Sequence, residues 1–84
     1  MDQTVDPDDQ HYVYFAQVQC ADFPTIDAVE IEGCGYGVLL VRYFSYRTRS
    51  VEGDHWYGNA AAARAAAELQ FGIDPENWSV RGRV

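Results

Sequence analysis

The chain has 84 residues, a formal net charge of −7, 48% hydrophobic and 14% aromatic residues. That length suits one domain with one core, and that composition excludes an intrinsically disordered chain. No apolar run approaches the roughly 18 residues that a membrane-spanning helix needs. The opening MDQTVDPDDQ has neither the basic region nor the apolar region of a secretory signal, so a cytoplasmic protein is expected.

The charge is unevenly placed. Asp2, Asp6, Asp8, Asp9, Asp22, Asp27, Glu30 and Glu32 precede residue 42 with no base among them, and every Arg follows; there is no Lys. Such asymmetry suits an electrostatically selected partner, and acidity also keeps a small protein in solution. An acidic chain repels nucleic acid, whose affinity comes from Lys and Arg on phosphates. It complements a basic protein surface. Cys20 and Cys34 are too few for a disulfide scaffold and are expected as reduced core thiols.

Residues 1–10, with Pro7 inside an Asp cluster, read as a disordered acidic arm, and residues 11–84 as a single α+β domain. HYVYFAQVQC at 11–20 is aromatic and β-branched and predicts a strand, partly apolar on both faces and so suited to a central place. ADFPT at 21–25 predicts a connection, with Pro24 ending the ladder. Residues 26–49 predict a long hairpin, IDAVEIE and VLLVRYFSYRTR joined by the glycine-rich GCGYG. A four-residue loop over 33–36 sets Glu32 opposite Gly37. Val29 and Ile31 then share a face with Val38, Leu40, Phe44 and Tyr46. The opposite face carries Glu30, Glu32, Leu39, Val41, Tyr43, Arg47 and Arg49, and a one-residue slip would mix the two sets.

VEGDHWYG at 51–58 reads as a loop. NAAAARAAAELQF at 59–71 predicts a helix capped by Asn59 and ended by Gly72. Arg64 and Glu68 mark its expected solvent side, and Ala62, Ala65, Ala66 and Leu69 its expected packing stripe. Ile73 is expected to pack past the C-cap. NWSVRGRV at 77–84 predicts a short last strand, Trp78 and Val80 inward, Arg81 and Arg83 outward. The expectation is an antiparallel sheet of about four strands with one helix packed on one face, in the order β-β-β-α-β.

Several segments invite a chemical reading. Gly33, Gly35 and Gly37 superficially suggest a phosphate loop, but the Lys and Ser/Thr of a P-loop are missing and a strand follows, which favours a hairpin turn. His11, Cys20, Cys34 and His55 are zinc-ligand types without close ligand spacing. Asp54 and His55 lack a nucleophile tied to them by spacing, so no enzyme is expected. No cofactor is implied. Arg42, Arg47 and Arg49 interleaved with Tyr43, Phe44 and Tyr46 have the composition of a single-strand nucleic-acid platform, opposed by Glu30 and Glu32 on the same face. Leu39, Val41 and Tyr43 form an apolar stripe on the face away from the helix. Uncovered, it is an interaction patch edged by charge; residues 11–20 or the arm are the alternatives that would cover it.

A β-β-β-α order with an alanine-rich helix is similar to the double-stranded-RNA-binding domain. That family's basic cluster opens its helix, whereas Gly58-Asn59-Ala60-Ala61 has no base until Arg64, so RNA binding does not carry over. The acidic, lysine-free chain, with its helix NAAAARAAAELQFG and a short Trp-led strand, resembles small phage anti-CRISPR proteins over residues 53–84. That resemblance implies a non-enzymatic inhibitor, in the host cell cytoplasm, that blocks the nucleic-acid-binding or target-recognition surface of a CRISPR effector by direct contact. The class has no shared motif and transfers no residue. The residues themselves nominate Asp22, Asp27, Glu30 and Glu32 to steer a protein partner, with Leu39, Val41, Tyr43, Arg47 and Arg49 at the contact. The alternative is a small single-strand nucleic-acid-binding protein. A homodimer through the stripe or an open edge is compatible with both.

Overall fold

The computed structural model describes residues 12–82. The expected acidic arm over 1–10, His11 and Arg83 lie outside them. Five strands form one antiparallel sheet: β1 (Tyr12–Gln17), β2 (Ala28–Gly33), β3 (Val38–Ser45), β4 (Ser50–Tyr57) and β5 (Ser79–Gly82). One helix, α1 (Ala60–Phe71), packs against β2, β3 and β4. The fold is α+β, with one helix on one face of an antiparallel sheet.

The spatial order is β4-β3-β2-β1-β5. The first four strands form a meander, because short connections favour neighbouring antiparallel strands. α1 then carries the chain back across the sheet, and β5 adds beside β1. The strand expected within 11–20 is β1, Tyr12–Gln17, which lies between β2 and β5, as the two partly apolar faces suggested.

The segment 51–58 is a strand rather than a loop. Val51, Trp56 and Tyr57 favour a pleated surface, while Gly53 and Asp54 disfavour it. An edge strand needs apolar groups on neither face throughout, so the alternation that reveals a half-buried strand is missing. Pairing with β3 decides the outcome, from Val38↔Tyr57 to Ser45↔Ser50.

The β2–β3 loop spans four residues, 34–37, with Gly33 opposite Val38. Each strand therefore extends one residue differently from the expected register, an even total shift that leaves every side chain on its expected face through Tyr43. Cys34 N–H donates to Gly37 C=O at 3.0 Å, and Gly35 has φ 98°, a left-handed conformation suited to glycine. The expected hairpin turn is present.

Beyond Tyr43 the expectation fails. β3 ends at Ser45 instead of continuing to Arg49, and register shifts lie between Arg42 and Tyr43 and between Tyr43 and Ser45. A bulge re-aims the side chains that follow it. Tyr46 consequently meets Glu30 on the face away from the helix, and Phe44 is exposed rather than in the core.

α1 begins and ends as read. The Asn59 side chain accepts from Ala62 N–H at 2.8 Å, and Gly72 has φ 67°. Its orientation is different. Ala60, Ala63, Ala67 and Phe71 are buried, and Leu69 is 89% exposed. Leu69 and Phe71 lie about 200° apart around the axis, so one helix cannot bury both against one sheet. The larger Phe71 goes in, meeting Phe23 edge-on at 5.0 Å, and Ile73 joins the same core. The alanines allow close approach of helix and sheet but do not encode direction.

The rotation also moves the helix's charges. Arg64 is half-buried with its guanidinium 4.7 Å from the Tyr14 ring, and half-buried Glu68 accepts from Trp78 Nε1 at 2.8 Å. Trp78 is half-buried as its inward placement required, and Val80, on the edge strand β5, is half-exposed. The helix-side core is otherwise Ala16, Val18, Ile26, Val29, Ile31, Val38 and Leu40 with the helix residues named above.

Candidate interaction surface

Antiparallel pairing lines up the other face of the sheet in transverse rows. One row runs Trp56, Leu39, Glu32, Val13, Arg81 from the β4 edge to β5. The next runs Asp54, Val41, Glu30, Phe15, Ser79. Among the described residues no helix covers this face, yet Val13, Ala28, Glu30, Val41 and Tyr43 on it are buried.

The β3–β4 turn covers them. Its residues 46–49 fold back so that Tyr46 lies over the sheet, 4.6 Å from the Phe15 ring and 5.2 Å from Tyr43. Asp27 holds the turn down, its Oδ2 accepting Tyr46 N–H at 2.9 Å. Of the two covers expected for the stripe, residues 11–20 contribute Phe15, and the acidic arm lies outside the described residues; Leu39 stays half-buried.

Glu30 sits beneath this cover, only 6% exposed. A buried carboxylate is costly unless its lone pairs are filled. Tyr43 donates its hydroxyl at 3.1 Å, Tyr46 donates at 2.5 Å, and Arg49 Nη1 stands 3.6 Å away. Burial, then the Glu30 charge and its hydrogen bond, pushes the Tyr43 hydroxyl up to about 12. The Tyr46 hydroxyl, with Glu30 further off, holds the Arg49 pKa above its ordinary value, so that guanidinium stays charged.

Arginines form the outer layer. The Arg49 guanidinium lies 4.1 Å from the Tyr46 centroid, and that of Arg81 lies 3.9 Å from Phe15. Arg49 has φ 58°, an uncommon conformation for a residue with a Cβ, in a tight turn where its N–H donates to Tyr46 C=O at 3.2 Å. Arg42, on the helix side, reaches Glu52 at 2.6 Å.

The residues nominated from the sequence therefore separate into layers. Glu30, Val41 and Tyr43 are buried and support the surface instead of forming it. Glu32 and Leu39 are half-buried, and Asp22, Asp27, Arg47 and Arg49 are exposed. Arg49 does pair with Glu30 across the face, as the shared side suggested. Sequence reasoning missed Phe15, Tyr46, Trp56 and Arg81. Phe15 and Arg81 were legible as residues of alternating strands, but their meeting depends on β5 pairing with β1.

Of the exposed large apolar side chains, Trp56 and Tyr36 share the hairpin end of the sheet, while Phe44 and Val51 lie toward the other end of β3 and β4. Trp56 is 50% exposed beside half-buried Leu39, and Tyr36 at the hairpin tip is exposed. A Cβ at position 37 would collide with the Trp56 indole, so Gly37 is what lets that ring lie on the hairpin. Asp54 and Glu32 border this end.

Cys20 and Cys34 are unpaired and half-buried, Cys20 packing against the core. Among the described residues no three His, Cys, Asp or Glu side chains gather into a metal-binding cluster. No described helix is long and apolar enough to cross a membrane. No protein-family model, curated protein or solved structure matches the chain.

Proposed function

We propose that this protein is a non-enzymatic inhibitor of the anti-CRISPR type, acting by direct contact with a basic surface that a CRISPR effector complex uses for nucleic acid. One observation carries the reading: the chain is acidic overall, with a formal net charge of −7, and several of its acids stand at the surface. Arg42 and Arg49 pair with carboxylates of their own chain and Arg64 and Arg81 lie against its rings, while Arg47, Arg49 and Arg81 stay exposed. Asp22, Asp54, Asp74 and Glu76 stand exposed. The chain's formal net charge of −7 favours approach to a positive surface. Trp56, a residue type that anchors interfaces, supplies the apolar contact with Leu39 and Tyr36.

The alternative nucleic-acid platform draws less support from the geometry. Guanidiniums lie against the rings of Phe15 and Tyr46, where bases would stack, and Arg49 faces Glu30.

The test is direct. Purified effector–guide complexes are incubated with the chain, and target-DNA binding is followed by mobility shift. Inhibition is expected, weakened by Asp22→Lys with Asp54→Lys and by Trp56→Ala. Equal inhibition by the charge-reversed chain would remove the electrostatic claim. Tight binding of the chain alone to single-stranded oligonucleotide at low salt would replace the proposal with the alternative. Reversing Glu30 is unsuitable as a test, because its burial makes loss of fold the dominant effect.

A further inference from the structure

We infer that the open edge of β1 at Gln17–Gln19 is a docking site for an extended peptide segment that bears a carboxylate, which would add to the sheet as a short strand in line with β5. The inference stands on edge geometry and does not depend on the inhibitor reading.

β5 pairs with β1 only from Tyr12↔Gly82 to Phe15↔Ser79. The chain leading into β5 turns off the sheet, and Asn77 N–H donates back to Asp74 C=O at 2.8 Å. Just past the end of β1, on its other side, Val18 N–H donates to Asp27 C=O at 2.9 Å, which keeps the chain beside the residue that precedes β2. Successive residues of a strand direct their backbone groups to opposite sides. Val18 faces β2, so the N–H and C=O of Gln17 and Gln19 face the side where β5 has ended. The Ser79 hydroxyl at 3.5 Å from Phe15 C=O is consistent with that alternation. Among the described residues no strand lies beside them there. These are the groups that an added strand pairs with.

The same edge opens into a groove of about 480 Å³, lined by Gln17, Gln19, Phe71, Ile73, Asn77 and Arg81 among others. The amides offer donors and acceptors to a backbone; Phe71 and Ile73 border the groove but are buried in the core, so the polar groups carry the contact. Arg81 is the one charged residue among the described residues that line it, and its guanidinium lies over Phe15, next in line to Gln17 on the same face. A carboxylate on the residue opposite Gln17 would meet it. The opposite edge of the sheet is longer, but β4 carries Glu52 and Asp54 and is paired through a bulge, both of which discourage strand addition. Gln17, Val18 and Gln19 have neither charge nor bulge.

The experiment pans a phage-displayed library of random linear heptapeptides against the intact chain and takes the enriched peptides into NMR titration. Acidic peptides that shift the Gln17, Gln19 and Ile73 amides are expected. Methylating the backbone nitrogens of such a peptide one at a time should weaken binding about tenfold at alternate positions only, the pattern of a paired strand. Gln17→Pro removes an outward N–H without touching the β2 ladder and should abolish binding. If that variant misfolds, the alternating methylation pattern on the unaltered chain still decides. Failure to enrich any peptide, shifts located elsewhere, or uniform sensitivity to methylation would overturn the proposal. Concentration-dependent dimerisation through these same amides would also overturn it, by making a second copy the occupant.

Discussion

The two faces of the sheet bury groups by different means. The helix face is closed by Ala63, Ala67 and Phe71 over Val29, Ile31 and Leu40, all apolar. The other face is closed by one turn, and its centre is a carboxylate, Glu30, held by two tyrosine hydroxyls and a guanidinium. Apolar burial is non-directional and tolerates a helix rotated from its expected stripe. The polar cluster is directional, and each partner must be placed by a specific bend in the chain.

The largest expected effect breaks the helix face. Ile31 is fully buried, and Ile31→Ala should cost roughly 2–5 kcal/mol in denaturant unfolding. A cost like that of a surface substitution would show that the helix does not close the core. Next, Glu30→Ala leaves the buried Tyr43 hydroxyl without its partner and should cost about 1–3 kcal/mol. If stability instead rises, the cluster is an electrostatic burden that the fold merely tolerates.

A pH series isolates the cluster further. The Tyr43 pKa is raised in the folded state to about 12 from an ordinary 10.0, so the folded protein holds that proton more tightly than the unfolded chain does. The resulting contribution is fully present below pH 10 and is lost as pH rises toward 12. The stability difference between the native chain and Tyr43→Phe should therefore shrink across that window. A difference independent of pH there would show that the hydroxyl is not held as described. The smallest effect belongs to the helix's outer side: Leu69→Glu should change stability by no more than about 0.5 kcal/mol, whereas a larger loss, measured by thermal unfolding, would restore the stripe expected from periodicity.

Local physics accounts for what was legible. Asn59 and Gly72 bound the helix because capping and a left-handed residue are properties of one or two positions. The assignment of Glu30, Glu32, Leu39, Val41 and Tyr43 to one face survived a shifted loop, because strand alternation has period two. The helix stripe was illegible for the opposite reason: seven of the eight residues 60–67 are alanine, so the pattern has little amplitude until Phe71 meets Phe23.

The sequence by itself determined the class of the fold, the helix ends, the hairpin and the acidic first half, all set by propensities and spacings within short stretches of chain. Tertiary structure alone decided that 50–57 is a strand, that β5 joins β1, and that Tyr46, Arg49 and Arg81 close over Phe15 and Glu30. Each of these rests on partners distant in sequence or on a bulge that changes which way a side chain points. The surface that the acidic half appeared to own is, for that reason, shared with arginines from the second half.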